Sequence, residues 1–144
     1  MDTVAERIER MIGEFAGLDG REKLELLVDF AAGLPPLPDA YVARRAAAEG
    51  KVHECQTPVF LWPEVIDGRA VLVAEVAPEA PTVKGFVAML KHAVDGRPAT
   101  EAAALGEEIV DRTGLGDVLG ILRSRGLRAI LSRVKRALLA AADG

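Results

Sequence analysis

Residues 59–76 have the sequence VFLWPEVIDGRAVLVAEV and carry the features of a β-hairpin. The first four residues of the stretch are β-favouring, and Asp67-Gly68 is a pair that suits a tight turn. The residues after the turn alternate imperfectly in polarity, with Val71 and Val73 on one face. Pro63 interrupts the first arm, which predicts an edge strand or a bulge there.

On both sides of this hairpin the apolar residues recur at the spacing of an α-helix. Asp2 or Thr3, and then Asp19, are the expected caps of the first two helices. The predicted helices cover approximately residues 3–17, 19–33, 39–48, 83–95, 100–112, 118–122 and 127–138. Helices, a small antiparallel sheet of about three strands, and further helices indicate an α+β fold. Without a linker or repeat, we expect one domain spanning residues 1–144.

The composition indicates a cytoplasmic protein that binds neither nucleic acid nor membrane. Its 18 basic and 22 acidic residues give a net charge of −4, whereas nucleic-acid binders usually have a basic surplus. No apolar run approaches the roughly 20 residues that cross a bilayer, and the N-terminus lacks a signal-peptide pattern. The one cysteine excludes an internal disulfide and suits a reducing compartment.

One cysteine and two histidines exclude several kinds of site within one chain. A structural zinc site with four cysteine or histidine ligands, a CxxC redox pair and an iron–sulfur scaffold all need more of these residues. The chain also lacks the glycine patterns of nucleotide-binding loops. The remaining chemistry centres on Cys55.

Cys55 lies in residues 52–60, VHECQTPVF. A lone cysteine is by default a small buried hydrophobe. Here its polar neighbours stand between two β-favouring runs, which predicts a loop between strands with the thiol at its tip. His53 is two residues away and shares a face with Cys55 in an extended segment. His53 either lowers the thiol's pKa or shuttles its proton, or it is an exposed strand histidine with no role in the chemistry.

This loop and three other blocks resemble the SufE family. The family's loop reads roughly Val-x-Gly-Cys-x-Ser-x-Val-Trp, and residues 52–60 have the same spacing. At three positions the residue differs: Glu54, Thr57 and Phe60 stand where the family has glycine, serine and tryptophan. The other matching blocks are Glu22-Lys23-Leu24 followed by Leu34-Pro35-Pro36-Leu37-Pro38, then Pro81-Thr82-Val83-Lys84-Gly85, and finally Arg123-Ser124-Arg125-Gly126-Leu127. Four blocks in the family's order cover most of the chain.

The resemblance implies a SufE/IscU-like fold and a sulfur acceptor that takes persulfide sulfur on Cys55. The implied donor is a SufS-like cysteine desulfurase, a PLP enzyme that the acceptor stimulates, and the implied destination is an iron–sulfur scaffold. Because a thiolate attack needs only one cysteine, no cofactor is expected. The resemblance thus implies a sulfurtransferase-like activator of the desulfurase rather than a stand-alone enzyme.

The matched arginine, Arg123, is the candidate cation beside the thiolate, since a guanidinium keeps its charge. Alternatively, Arg123 is a solvated helix-end residue. Glu54, where the family has glycine, places a negative charge beside the thiol and disfavours its ionisation.

Two other functions remain open from the residues alone. One is a cysteine hydrolase or transferase, with Cys55 activated by His53 or His92 and oriented by Asp95 or Glu54. The other is a non-catalytic adaptor that binds a partner through the hairpin.

Overall fold

The computed structural model describes residues 2–143. The helices are α1 (Val4–Phe15), α2 (Gly20–Ala32), α3 (Asp39–Ala46), α4 (Pro81–Val94), a 3₁₀ helix (Ala99–Ala104), α5 (Glu108–Arg112) and α6 (Leu115–Asp143). The strands are β1 (Val59–Ile66) and β2 (Arg69–Val76). Within residues 2–143, no helix combines the length and apolarity needed to span a membrane.

The predicted hairpin is present, and it makes the fold α+β as expected. β1 and β2 pair antiparallel from Val59↔Val76 to Ile66↔Arg69. Asp67 and Gly68 both have positive φ, at 54° and 77°, which is the geometry that matches a tight turn to twisted strands. The expectation of about three strands was too high, because the segment around Val52 contributes one isolated bridge, Lys51↔Phe60.

The hairpin buries one face against the helices. In β2 the buried side chains lie at even positions, Ala70, Leu72, Ala74 and Val76, while Val71 and Val73 are partly exposed on the other face. That outer face is partly covered by α3, whose Tyr41 ring lies 5.3 Å from the ring of Trp62. Alternation alone cannot show which face is the inner one when both carry valine.

Helix α4 lies at the centre of the packing. It contacts α2 on one side and β2 on another, and β1 packs against α6. Gly85 makes the α2 contact possible, since a Cβ at this position would lie 2.7 Å from the carbonyl carbon of Leu27. The predicted caps of α1 and α2 are confirmed: Thr3 and Asp19 each form a capping box with the glutamate three residues later.

Two helix predictions near the C-terminus were wrong in their boundaries. The single helix expected over residues 100–112 is a 3₁₀ helix and α5, because the chain turns at Leu105 to bury that side chain completely. The two helical pieces expected over residues 118–122 and 127–138 are both present within α6, but the helix is interrupted at Gly120 and not between residues 122 and 127. Gly120 has φ 83°, a conformation that residues with a side chain rarely adopt.

Candidate functional site

The loop that carries Cys55 is closed at its base by three hydrogen bonds, and we call this base the neck. The Val52 N–H donates to the Val59 carbonyl at 2.9 Å, and the Leu61 N–H donates to the Gly50 carbonyl at 2.8 Å. From α6, the Arg133 guanidinium donates to the Lys51 carbonyl at 2.6 Å. The loop beyond the neck is short and polar, so its base is fixed while its tip carries the thiol.

The thiol of Cys55 rests against the backbone of α6 at Gly126. Cys55 is half-buried, and its Sγ donates a long, weak hydrogen bond to the Gly126 carbonyl oxygen at 3.8 Å. A Cβ at Gly126 would lie 3.3 Å from this sulfur, and it would meet no other atom within 4 Å. The thiol therefore borders the space that a side chain at Gly126 would fill, and it would have to shift slightly to admit a Cβ there.

The thiol opens onto a cavity of about 450 Å³. Three parts of the chain form its walls: the Cys55 loop, the start of α4, and the segment of α6 that follows the kink. The residues that line it are Glu54, Cys55, Gln56, Thr57, Glu79, Ala80, Pro81, Thr82, Val83, Leu122, Arg123, Arg125 and Gly126.

The resting thiol is held in its neutral form, while the cavity offers groups that favour an anion. Burial, and secondarily the charge of Glu54, raise the pKa of the Cys55 thiol. The side chains of Arg123 and Arg125 make no ion pair or hydrogen bond with any other residue in the range 2–143. The first turn of α4 also faces the cavity without a side-chain cap at Ala80, and an uncapped helix N-terminus carries partial positive charge.

The structure brings two of the three predicted site residues together. Cys55 and Arg123 line the same cavity, whereas His53 is exposed and does not line it. His92 and Asp95 lie on a different cavity, at the far end of α4. Neither histidine is therefore placed as a base beside the thiol, and the triad needed by a cysteine hydrolase is not assembled in this conformation.

Three features of the site were missed by sequence reasoning. They are the contact between Gly126 and the thiol, the uncapped start of α4, and the exposed Leu122 at the cavity wall. Gly126 and the start of α4 were within the blocks that resemble the family, but a pattern of letters does not show which residues face a cavity. Ile121 and Leu122 lie within the helix predicted over residues 118–122, and that prediction does not indicate that their side chains are exposed.

The hairpin, the surrounding helices and the loop-borne thiol define a small α+β protein built around one accessible cysteine. The sequence model of the SufE family, described as an Fe–S metabolism associated domain, matches residues 9–138. The chain belongs to the SufE family.

Relatives and a solved structure agree with this assignment. An uncharacterized SufE-like protein of Mycobacterium tuberculosis is 38% identical over 132 residues, which cover 91% of this chain and 90% of the relative. An uncharacterized SufE-like protein of Rhizobium etli is 29% identical over 132 residues, covering 89% of this chain and 86% of the relative. The solution structure of a hypothetical protein from Thermus thermophilus superimposes with a TM-score of 0.81 at 29% identity, covering 96% of this chain and 97% of that one.

The contact between Gly126 and the thiol leads to a prediction about thiol reactivity. Replacing Gly126 by alanine should crowd Cys55 Sγ in its resting position, because the new Cβ would stand 3.3 Å away. About 1 kcal/mol of crowding in the sheltered form should raise the rate of alkylation by a small neutral reagent about fivefold. The matched control is Gly13→Ala in α1, where a Cβ meets nothing within 4 Å. An unchanged alkylation rate in Gly126→Ala would show that Gly126 does not hold the thiol.

Proposed function

We propose that this protein is a cytoplasmic sulfur acceptor that takes persulfide sulfur on Cys55 from a cysteine desulfurase. It stimulates the desulfurase by relieving it of that sulfur, and it passes the sulfur on to iron–sulfur cluster assembly. The observation that carries the proposal is a half-buried thiol on a loop tip that shares a cavity with two unpaired arginines. Membership of the SufE family supports the identity of the donor.

The transfer of sulfur from the donor cysteine to Cys55 is redox-neutral overall. The Cys55 thiol first loses its proton, and the thiolate attacks the outer sulfur of the donor's persulfide. The new S–S bond to Cys55 forms as the donor's S–S bond breaks, and the donor cysteine leaves as a thiolate that takes up a proton. One sulfur moves between two cysteines without an external oxidant or reductant.

The residues around the cavity would assist this exchange electrostatically. The thiol has a raised pKa at rest, so ionisation must be favoured at the moment of transfer. Arg123 is a candidate for this role because it lines the same cavity as Cys55, and the N-terminal turn of α4 adds partial positive charge. Both favour the thiolate and the product persulfide anion over the neutral thiol.

The direct test is the intact mass of the protein after incubation with an active cysteine desulfurase of the same organism and free cysteine. We expect a gain of one or more sulfur atoms on Cys55, which a thiol reductant removes. A mass that stays unchanged while the desulfurase consumes cysteine would overturn the proposed function.

A further inference from the structure

Two adjacent aliphatic side chains project from the surface beside the Cys55 cavity. Ile121 is 80% exposed and Leu122 is 65% exposed. The other exposed large hydrophobic residues in the described range, Val28, Val42 and Ile66, are separate from one another in sequence and less exposed. Single exposed apolar side chains are ordinary, whereas contiguous apolar surface is a feature of interaction sites, and these two neighbours lie beside the cavity that holds the thiol.

The kink in α6 presents this pair on a fixed support. Gly120 departs from helical geometry immediately before Ile121. The Ser124 hydroxyl donates to the Gly120 carbonyl at 2.6 Å and lies 3.2 Å from the Gly116 carbonyl. Through these contacts Ser124, which is itself buried, connects the parts of α6 that lie before and after the kink. A pair held in this way loses little conformational freedom when a partner covers it.

Ile121 and Leu122 lie where a donor protein must approach in order to reach Cys55. Leu122 lines the Cys55 cavity, and Ile121 lines the neighbouring depression, while Arg125 borders both. A persulfide delivers its outer sulfur only when that atom reaches Cys55 Sγ. The donor protein must therefore contact the rim of the cavity, where Leu122 lies.

We propose that Ile121 and Leu122 form an apolar anchor with which this protein docks on the persulfide-carrying face of its desulfurase. The inference rests on the proposed function and adds the surface that performs the docking. Arg123 and Arg125 flank the anchor without ion-pair partners within residues 2–143. The complementary surface is accordingly an apolar depression bordered by carboxylates, next to the donor cysteine.

The test compares binding by variants that remove exposed apolar surface in two places. The probe is a desulfurase of the same organism whose persulfide-forming cysteine is replaced by serine, and binding is measured by calorimetric titration. The double variant Ile121→Ser/Leu122→Ser should bind at least tenfold more weakly than the wild type. The matched control is Ile66→Ser, which removes a 57% exposed isoleucine at the hairpin turn and should leave affinity unchanged.

A second measurement separates docking from chemistry. Loading of Cys55 by a small-molecule persulfide should be the same in the single variant Ile121→Ser and in the wild type, because Ile121 does not line the Cys55 cavity, whereas this variant should still bind the desulfurase more weakly. If the wild type binds the desulfurase and the double variant binds equally well, Ile121 and Leu122 are not the docking anchor, while the proposed sulfur-acceptor function stands. If the wild type neither binds the desulfurase nor takes up its sulfur, the proposed function is overturned together with the anchor.

Discussion

Replacing Cys55 by serine should abolish sulfur uptake and remove the stimulation of the desulfurase that depends on it. The chain contains one cysteine, so no second thiol can substitute as the acceptor. A hydroxyl is a far weaker nucleophile at neutral pH, because its pKa lies well above that of a thiol. The measurements are the intact mass after incubation with desulfurase and cysteine, and the steady-state rate of alanine release.

The serine variant also separates the alternative functions. It should still bind the desulfurase with the wild-type affinity, since Ile121, Leu122 and the surrounding surface are unchanged. An adaptor that acts without chemistry would retain its full effect in this variant. Full stimulation of turnover by Cys55→Ser would therefore contradict an acceptor role and indicate an allosteric one.

Replacing Gly85 by alanine should be the most destabilising single-methyl change among the helical glycines. The added Cβ would stand 2.7 Å from the carbonyl carbon of Leu27. Because this obstacle is backbone, no change of side-chain rotamer relieves it, and α2 must move away from α4. We expect a loss of about 3 kcal/mol in the free energy of unfolding, at the upper end for overpacking. Thermal and denaturant-induced unfolding measure this loss.

The control for Gly85→Ala is again Gly13→Ala, on an exposed surface of α1. There the gain in helix propensity should stabilise the protein by about 0.5–1 kcal/mol. The two variants add the same atoms to a helix, so the difference between them isolates the α2–α4 contact. Equal stability of the two variants would mean that the helices are not in close contact at Gly85.

The sequence was sufficient for those parts of the fold that depend on local patterns. The hairpin follows from β-favouring residues on either side of Asp67-Gly68, and the starts of α1 and α2 follow from Thr3 and Asp19. The break at Leu105 and the buried face of β2 were not predicted. Both depend on which neighbouring element covers a side chain, and that information lies far away in the chain.

Some features of the candidate site were likewise predictable from the sequence, and others were not. The pairing of Cys55 with Arg123 in one cavity was expected because the resemblance linked two distant blocks. The contact of the thiol with Gly126 spans 71 positions and is formed by an absent side chain, so residue types do not reveal it. His53 was a candidate because alternation in a strand would place it beside Cys55. The segment is a turn-rich loop instead, and that alternation does not apply.

The indole of Trp62 gives the protein an optical reporter of the neck. Trp62 is buried and is the chain's one tryptophan, and no acceptor in the described range reaches its Nε1. Gly50 lies so close that a Cβ on it would come within 2.9 Å of the indole nitrogen. Because Gly50 is hydrogen-bonded to Leu61 at the neck, opening of the neck would let water reach the indole and shift its emission to longer wavelength. The fluorescence of the unlabelled protein thus reports the state of the loop that carries Cys55.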